Sequence, residues 1–285
     1  MPLIFVLLDT EELMKIAILD LYEGESNEGM RCILELVEQF KNEVNVPVSH
    51  QVFDVRQHLQ MADLSFDIFI SSGGPGSPIT SAGSPWEQKY FGLMDSILKH
   101  NRENPFQKKS VFLICHSFQI FCRYYGYGQV TKRKSTAFGV MYVDKTKEGK
   151  KEPMFSQLTD PFYIVDSRDY QLIQPNEAKI WSGGGNILCI EKERPLIPFE
   201  RAVMAIRFNE SIIGTQFHPE VDSDGMHRYL LRDDKKKIVV EKHGEKKYLQ
   251  MMQMLNEPDK IRLTYKTIIP NFLHSAAAVY TNAEV

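Results

Sequence analysis

The chain has 285 residues, 43% of them hydrophobic and 25% charged, with a formal net charge of -3. This is the balance of a folded protein and excludes low-complexity, disordered and collagen-like classes. Acids and bases so evenly mixed leave no electrostatic footprint for nucleic acid or an anionic membrane surface as partner, and the length suits one large α/β domain or two smaller ones.

Residues 1–8 are apolar, but no basic leader precedes them and Asp9, Glu11 and Glu12 follow at once, which argues against a signal peptide. Residues 1–13 are therefore set apart as an N-terminal appendage. No stretch elsewhere could span a bilayer. Cys32, Cys115, Cys122 and Cys189 form neither a C-x-x-C pair nor a dense disulfide framework, so a reducing, cytoplasmic location is expected.

Residues 15–19 are predicted as the first strand. Ile33, Leu36, Val37 and Phe40 then recur at helical spacing while Glu35, Glu38 and Lys41 fall elsewhere on the wheel, the pattern of an amphipathic crossover helix. Strands are predicted at 48–55 and 67–70, the second running into the glycine loop Ser71-Ser72-Gly73-Gly74-Pro75-Gly76-Ser77-Pro78. A helix over 86–99 leads to a buried strand at 110–114. That strand stops at Cys115 and His116 and yields to another helical run. The second half differs, with short strands predicted at 138–143, 162–165, 187–190, 202–207 and 212–217 and few helices between them, which points to an antiparallel flank. After Asp222 comes the charged stretch 232–237, whose lysines are expected to form a solvated face, and a helix around 248–255. The whole reads as an α/β fold: an open, mostly parallel sheet with helices on both faces plus a small antiparallel flank.

Three segments carry chemistry. Cys115 stands where a strand gives way to a helix, and open α/β sheets place reactive groups at the carboxyl ends of their strands. A helix beginning just beyond it offers unpaired N–H groups and partial positive charge, which favour a thiolate. A lone cysteine is as readily a small buried hydrophobe, the reading kept for the other three. In Gln216-Phe217-His218-Pro219-Glu220 an apolar strand delivers a histidine and, one proline later, a carboxylate that can fix the ring's tautomer. The bland alternative is a strand-end histidine beside a solvated glutamate. The Gly73-Gly74-Pro75 loop lets the main chain approach a bound group and aim amide hydrogens at it, or it is simply a tight turn. It matches neither a P-loop nor a dinucleotide fingerprint.

Taken together and in this order, Ser72-Gly73-Gly74-Pro75, Cys115 with Gln119, and Gln216-Phe217-His218-Pro219-Glu220 resemble the class I (triad type) glutamine amidotransferases, the group that includes the amidotransferase domain of GMP synthase. The likeness runs from about Met14 to Asp222. It implies a flavodoxin-like fold, Cys115 as nucleophile, His218 as general base and acid, Glu220 as its orienter, and the backbone amides of Gly74 and His116 as oxyanion donors. Gln119 and Asp169 would hold the substrate, glutamine or a γ-glutamyl compound. No metal or organic cofactor is implied, and a synthase subunit is the implied acceptor of ammonia.

The chain departs from the family pattern in places. Leu113 and Ser117 stand where the elbow usually has glycines, and Ser167 replaces the histidine of a Ser-His-x-Asp segment. Residues 14–285 are expected to form a single domain with an insertion or extension at about 223–270 before a closing Asn271-Phe272-Leu273 element. Two other functions stay open: a non-catalytic binding or regulatory module on the same fold, and a γ-glutamyl hydrolase or peptidase. Nothing in the residues sets the oligomeric state.

Overall fold

A computed structural model describes residues 13–25, 27–194, 198–257 and 260–282, so apart from Leu13 the expected appendage lies outside the described residues. β1 (Met14–Asp20), α1 (Glu28–Glu43), β2 (Val48–Asp54), β3 (Ile68–Ser71), α2 (Pro85–Glu103), β4 (Ser110–Ile114) and α3 (His116–Tyr124) make the first half. β5 (Gln129–Lys145), β6 (Phe162–Ile173), α4 (Glu177–Ser182), β7 (Asn186–Glu191), β8 (Val203–Arg207) and β9 (Ile212–Thr215) follow. α5 (Ser223–Leu231), α6 (Asp233–His243), α7 (Glu245–Leu255) and α8 (Ile261–Asn282) complete the chain.

Among the described residues the strands form one open sheet in the order β2-β1-β3-β4-β9-β8-β7-β5-β6. β2, β1, β3, β4 and β9 run parallel, while β8, β7, β5 and β6 pair antiparallel. Alternate residues of the parallel strands enter two separate cores. Ile16, Ile18, Phe112 and Ile114 pack against α1 and α8, whereas Ala17, Leu19, Val111 and Leu113 pack against α2 and α3. Both faces are thereby dry, which is why these strands read as unbroken apolar runs.

The helices obey their sequence. α1 buries Ile33, Leu36, Val37 and Phe40, and its N-cap Asn27 accepts a hydrogen bond from the Met30 amide at 2.8 Å. α2 begins with Pro85 at its first position and runs past the expected end at residue 99. The extra turn is held by Asn101, whose amide donates to the Lys109 carbonyl (2.8 Å) and the Ser211 hydroxyl (3.0 Å).

Two strand elements differ from expectation. The β5–β6 pair is a long hairpin rather than two short strands, because residues 129–132 also pair, with residues 170–173, without an apolar face, and a register shift between Lys132 and Ala137 joins them to the rest of the ladder. β9 ends at Thr215, two residues early, where the Thr215 hydroxyl donates to the Phe217 carbonyl (2.9 Å) and the chain leaves its ladder. The charged stretch 232–237, to which the sequence assigned no element, runs into α6 with Lys236 and Lys237 exposed, as expected of a solvated face. α5 and α7 build a third core with Val140 and Val165, and Met251 fills the space left by Gly139, where a Cβ would lie 2.1 Å from its sulfur. The Asn271-Phe272 element sits inside α8, with the Phe272 ring edge-on to Phe112 at 5.2 Å. No helix of the described residues is long and apolar enough to cross a membrane.

Candidate active site

β4 lies mid-sheet between β3 and β9, so its carboxyl end opens onto the loops that follow both neighbours. The Cys115 amide donates to the Thr215 carbonyl (2.8 Å) and its carbonyl accepts from the Gln119 amide (2.9 Å), so one residue closes the strand and opens α3. The turn between them puts Cys115 at φ 47°, ψ -94°, a conformation that costs an L-residue of order 1–3 kcal/mol and is kept where the surroundings over-determine it.

Those surroundings include the two residues that replace the elbow glycines. Leu113 fits because its partner in the adjacent strand is Gly214, where a Cβ would lie 3.0 Å from the Leu113 Cβ and 2.8 Å from the Phe118 ring. The empty space has moved from one strand to the next. Gly214→Ala should therefore destabilise the fold by about 1–3 kcal/mol through overpacking, read as a lower urea midpoint. Ser117 is fully buried and hydrogen-bonds its own turn: its hydroxyl accepts from the Ile114 amide (2.8 Å) and lies within bonding distance of the Ser71 (2.9 Å) and Ile114 (3.0 Å) carbonyls.

His218 reaches the same place from β9. Its amide donates to the Val165 carbonyl (2.9 Å) in an isolated bridge to β6, which fixes the chain beyond the strand end. Its Nδ1–H donates to Glu220 Oε1 at 2.8 Å, and the Cys115 side chain acts on the same ring electrostatically. Burial alone would hold the imidazole neutral, but the facing Glu220 and Cys115 charges outweigh it and raise its pKa well above the ordinary histidine value. Glu220 is wholly buried and, among the described residues, its Oε2 has no hydrogen-bond partner, so its hydrogen bond is the one to His218. Gly73 makes room for this ring, since a Cβ there would lie 2.8 Å from His218 Cε1.

The other expected residues gather around the same opening. A cleft of about 1000 Å³ is lined by Gly74, Cys115, His116, Gln119, Asp169 and His218. At Gly74 a Cβ would lie 2.4 Å from the Leu21 carbonyl oxygen, so only glycine fits. The His116 ring is buried and its pKa is lowered to about 3, by desolvation first and then by Arg56 and Arg123. A ring so held is neutral, and the residue's backbone amide stands at the first position of α3. Gln119 donates to the Tyr170 carbonyl (3.3 Å), and exposed Asp169 accepts from the Thr136 hydroxyl (2.5 Å). Ser167, in the place of a histidine, offers its carbonyl to the Cys115 thiol at 3.9 Å. The remaining cysteines are buried apart from the cleft: burial pushes the Cys32 thiol up to about 12 and those of Cys122 and Cys189 well above the ordinary range.

Sequence reasoning missed part of the site. Tyr22, two residues past β1, places its hydroxyl where a Gly73 Cβ would be 3.1 Å away, and burial, reinforced by Glu220 and Cys115, keeps it a neutral phenol. Its position after a parallel strand was the available signal. Arg228 and Tyr229 of α5 wall the opposite side of the cleft, and nothing in their local pattern marks them. Among the described residues no group of three or more His, Cys, Asp or Glu could hold a metal ion.

Residues 31–238 match the family model described as glutamine amidotransferase class-I. No curated protein matches the sequence at a significant level. Among solved structures, a glutamine amidotransferase from Thermotoga maritima is 15% identical with a TM-score of 0.65, over 92% of this chain and 97% of that one. A glutamine amido transferase from Methylobacillus flagellatus is 15% identical with a TM-score of 0.57, over 96% and 95%. The glutaminase domain of Trypanosoma brucei CTPS with bound acivicin is 13% identical with a TM-score of 0.52, over 93% and 94%. At such identities the likeness to these structures is one of fold.

Proposed function

This chain belongs to the class-I glutamine amidotransferase family, and from that premise we propose that it hydrolyses the side-chain amide of glutamine through a thioester on Cys115. The single observation that carries this reading is the line Cys115–His218–Glu220, in which an imidazole electrostatically coupled to the thiol donates to a buried carboxylate at 2.8 Å.

The Cys115 thiolate attacks the side-chain amide carbon. The oxygen becomes an oxyanion facing the Gly74 and His116 amides, donors that need no reorganisation as charge develops. The carbon–nitrogen bond then breaks as protonated His218 gives its proton to the leaving nitrogen, releasing ammonia and a γ-glutamyl thioester. Neutral His218 next takes a proton from water and keeps it, the hydroxide displaces the thiolate, and the acid proton of the product passes to ammonia, so that glutamate and ammonium leave. Glu220 orients the imidazole and stabilises its charged form, while Gln119 and Asp169 hold the substrate. The ammonia passes to a synthase subunit in the same, cytoplasmic, compartment. Residues 14–285 act as one domain, with the 223–270 insertion supplying the α5 wall.

A γ-glutamyl compound larger than glutamine is favoured by one observation. The cleft of about 1000 Å³ stands at the top of the range of about 300–1,000 Å³ that accommodates drug-sized ligands, well beyond what glutamine fills.

Purified protein is expected to release equal ammonia and glutamate from glutamine. A glutamine-like electrophile such as acivicin should label Cys115 alone among the four cysteines, read by mass spectrometry of the digested chain. A protein that releases no ammonia from glutamine or any γ-glutamyl amide, with Cys115 unlabelled, overturns the reading in favour of a binding module.

A further inference from the structure

Arg56 follows β2 and takes no part in the chemistry above, yet its guanidinium joins three segments at the carboxyl edge of the sheet. Its Nη1 donates to the Pro75 carbonyl at 2.6 Å and the Leu21 carbonyl at 3.2 Å, and Nη2 pairs with Glu23 at 2.9 Å. The guanidinium lies over the Trp86 ring at 5.2 Å from its centroid, and the side chain is only 11% exposed.

Leu21 is the pivot of this arrangement. Its carbonyl oxygen fills the space a Gly74 side chain would need, 2.4 Å from the Cβ position. Its amide donates to the Ser72 hydroxyl (2.9 Å), which in turn donates to the Gly73 carbonyl (2.8 Å). One nitrogen of Arg56 therefore holds the carbonyls on either side of Gly74, one across from it on the β1 loop and one next after it in the chain. The separation of the two loops fixes the direction of the Gly74 peptide.

We propose that Arg56 is a positioning residue for the oxyanion site, setting the aim of the Gly74 amide by clamping the Leu21 and Pro75 carbonyls together. This rests on the hydrolase reading above. An arginine suits the task because its planar fork can bond two carbonyls and a carboxylate while stacking on an indole, a combination that a lysine ammonium cannot reproduce.

The test is Arg56→Lys in the full chain, with two rates measured on the same preparation: glutamine hydrolysis, and alkylation of Cys115 by iodoacetamide. Hydrolysis needs the oxyanion donors, whereas the alkylation displaces iodide from a saturated carbon and forms no oxyanion. Because the thiol of an unfolded chain is alkylated too, each rate is referred to the folded fraction of the same preparation, read by circular dichroism. The hydrolytic kcat is expected to fall by about 10- to 100-fold with little change in KM, the scale of a slightly misplaced group or a weakened oxyanion donor, while alkylation keeps the parent rate. A parallel fall in both rates, or an unchanged hydrolysis, overturns this inference alone. A parent protein that releases no ammonia overturns the hydrolase reading and this inference with it.

Discussion

Cys115→Ala is expected to lower the rate of ammonia release by about 10⁵- to 10⁶-fold, the scale on which removal of a triad nucleophile acts. The loss should fall on kcat, because glutamine would still meet Gln119 and Asp169 in the cleft, and binding of glutamine by calorimetry should persist. The same position allows a second, independent check. Cys115 sits at φ 47°, ψ -94°, a strain that alanine keeps and glycine relieves. Relief of order 1–3 kcal/mol, reduced by the greater freedom of glycine in the unfolded chain, leaves Cys115→Gly about 1 kcal/mol more stable than Cys115→Ala. Both variants are inactive, so denaturant midpoints compare the turn without the chemistry. Equal midpoints would mean that the elbow is not strained.

Glu220→Gln should cost about 10³- to 10⁴-fold in kcat, since an amide at that place leaves the ring without a charged partner and can impose the wrong tautomer. The consequence for stability has a definite sign. Burial lowers the His218 pKa, but the Glu220 and Cys115 charges more than reverse this, and the folded value stands well above the ordinary one. A raised folded pKa gives stability that is fully present below the unfolded value of about 6.5 and is lost as pH rises through the folded value. The parent urea midpoint should accordingly decline on the alkaline side of neutrality. Glu220→Gln removes the largest of the raising contributions, so its curve should be flatter over that range. Parallel curves would show that the carboxylate does not hold the ring charged.

Much of this arrangement is legible before folding. The apolar runs of β1, β3 and β4 announce a sheet covered on both faces, and the wheel of α1 names the residues it buries. The hairpin of β5 and β6 is harder, because Lys132, Arg133 and Lys134 give no apolar alternation: Lys132 pairs with Tyr170, remote in the chain, and the other two fall within the register shift that follows. The α5 wall is harder still. Arg228 and Tyr229 reach the cleft because Met226 and Leu230 pack with Val140 and Val165, a contact that no local pattern encodes.

The elbow shows the same division. Read alone, Leu113 and Ser117 are departures from a glycine pattern, and their acceptability depends on neighbours remote in the chain. Gly214, about a hundred residues on, supplies the room that Leu113 takes, and Ser71 receives the Ser117 hydroxyl. Residue order and type determined which groups could do chemistry: the thiol at a strand end, the imidazole and carboxylate flanking a proline, the glycines before Pro75. Only the tertiary structure decided that the thiol, the imidazole and Gly74 line one cleft with Glu220 buried against the ring, that Tyr22 and Arg56 belong beside them, and that the elbow closes without its glycines. Side-chain chemistry and periodicity are local properties, whereas approach distance, burial and the charge that one group imposes on another arise only when distant segments pack.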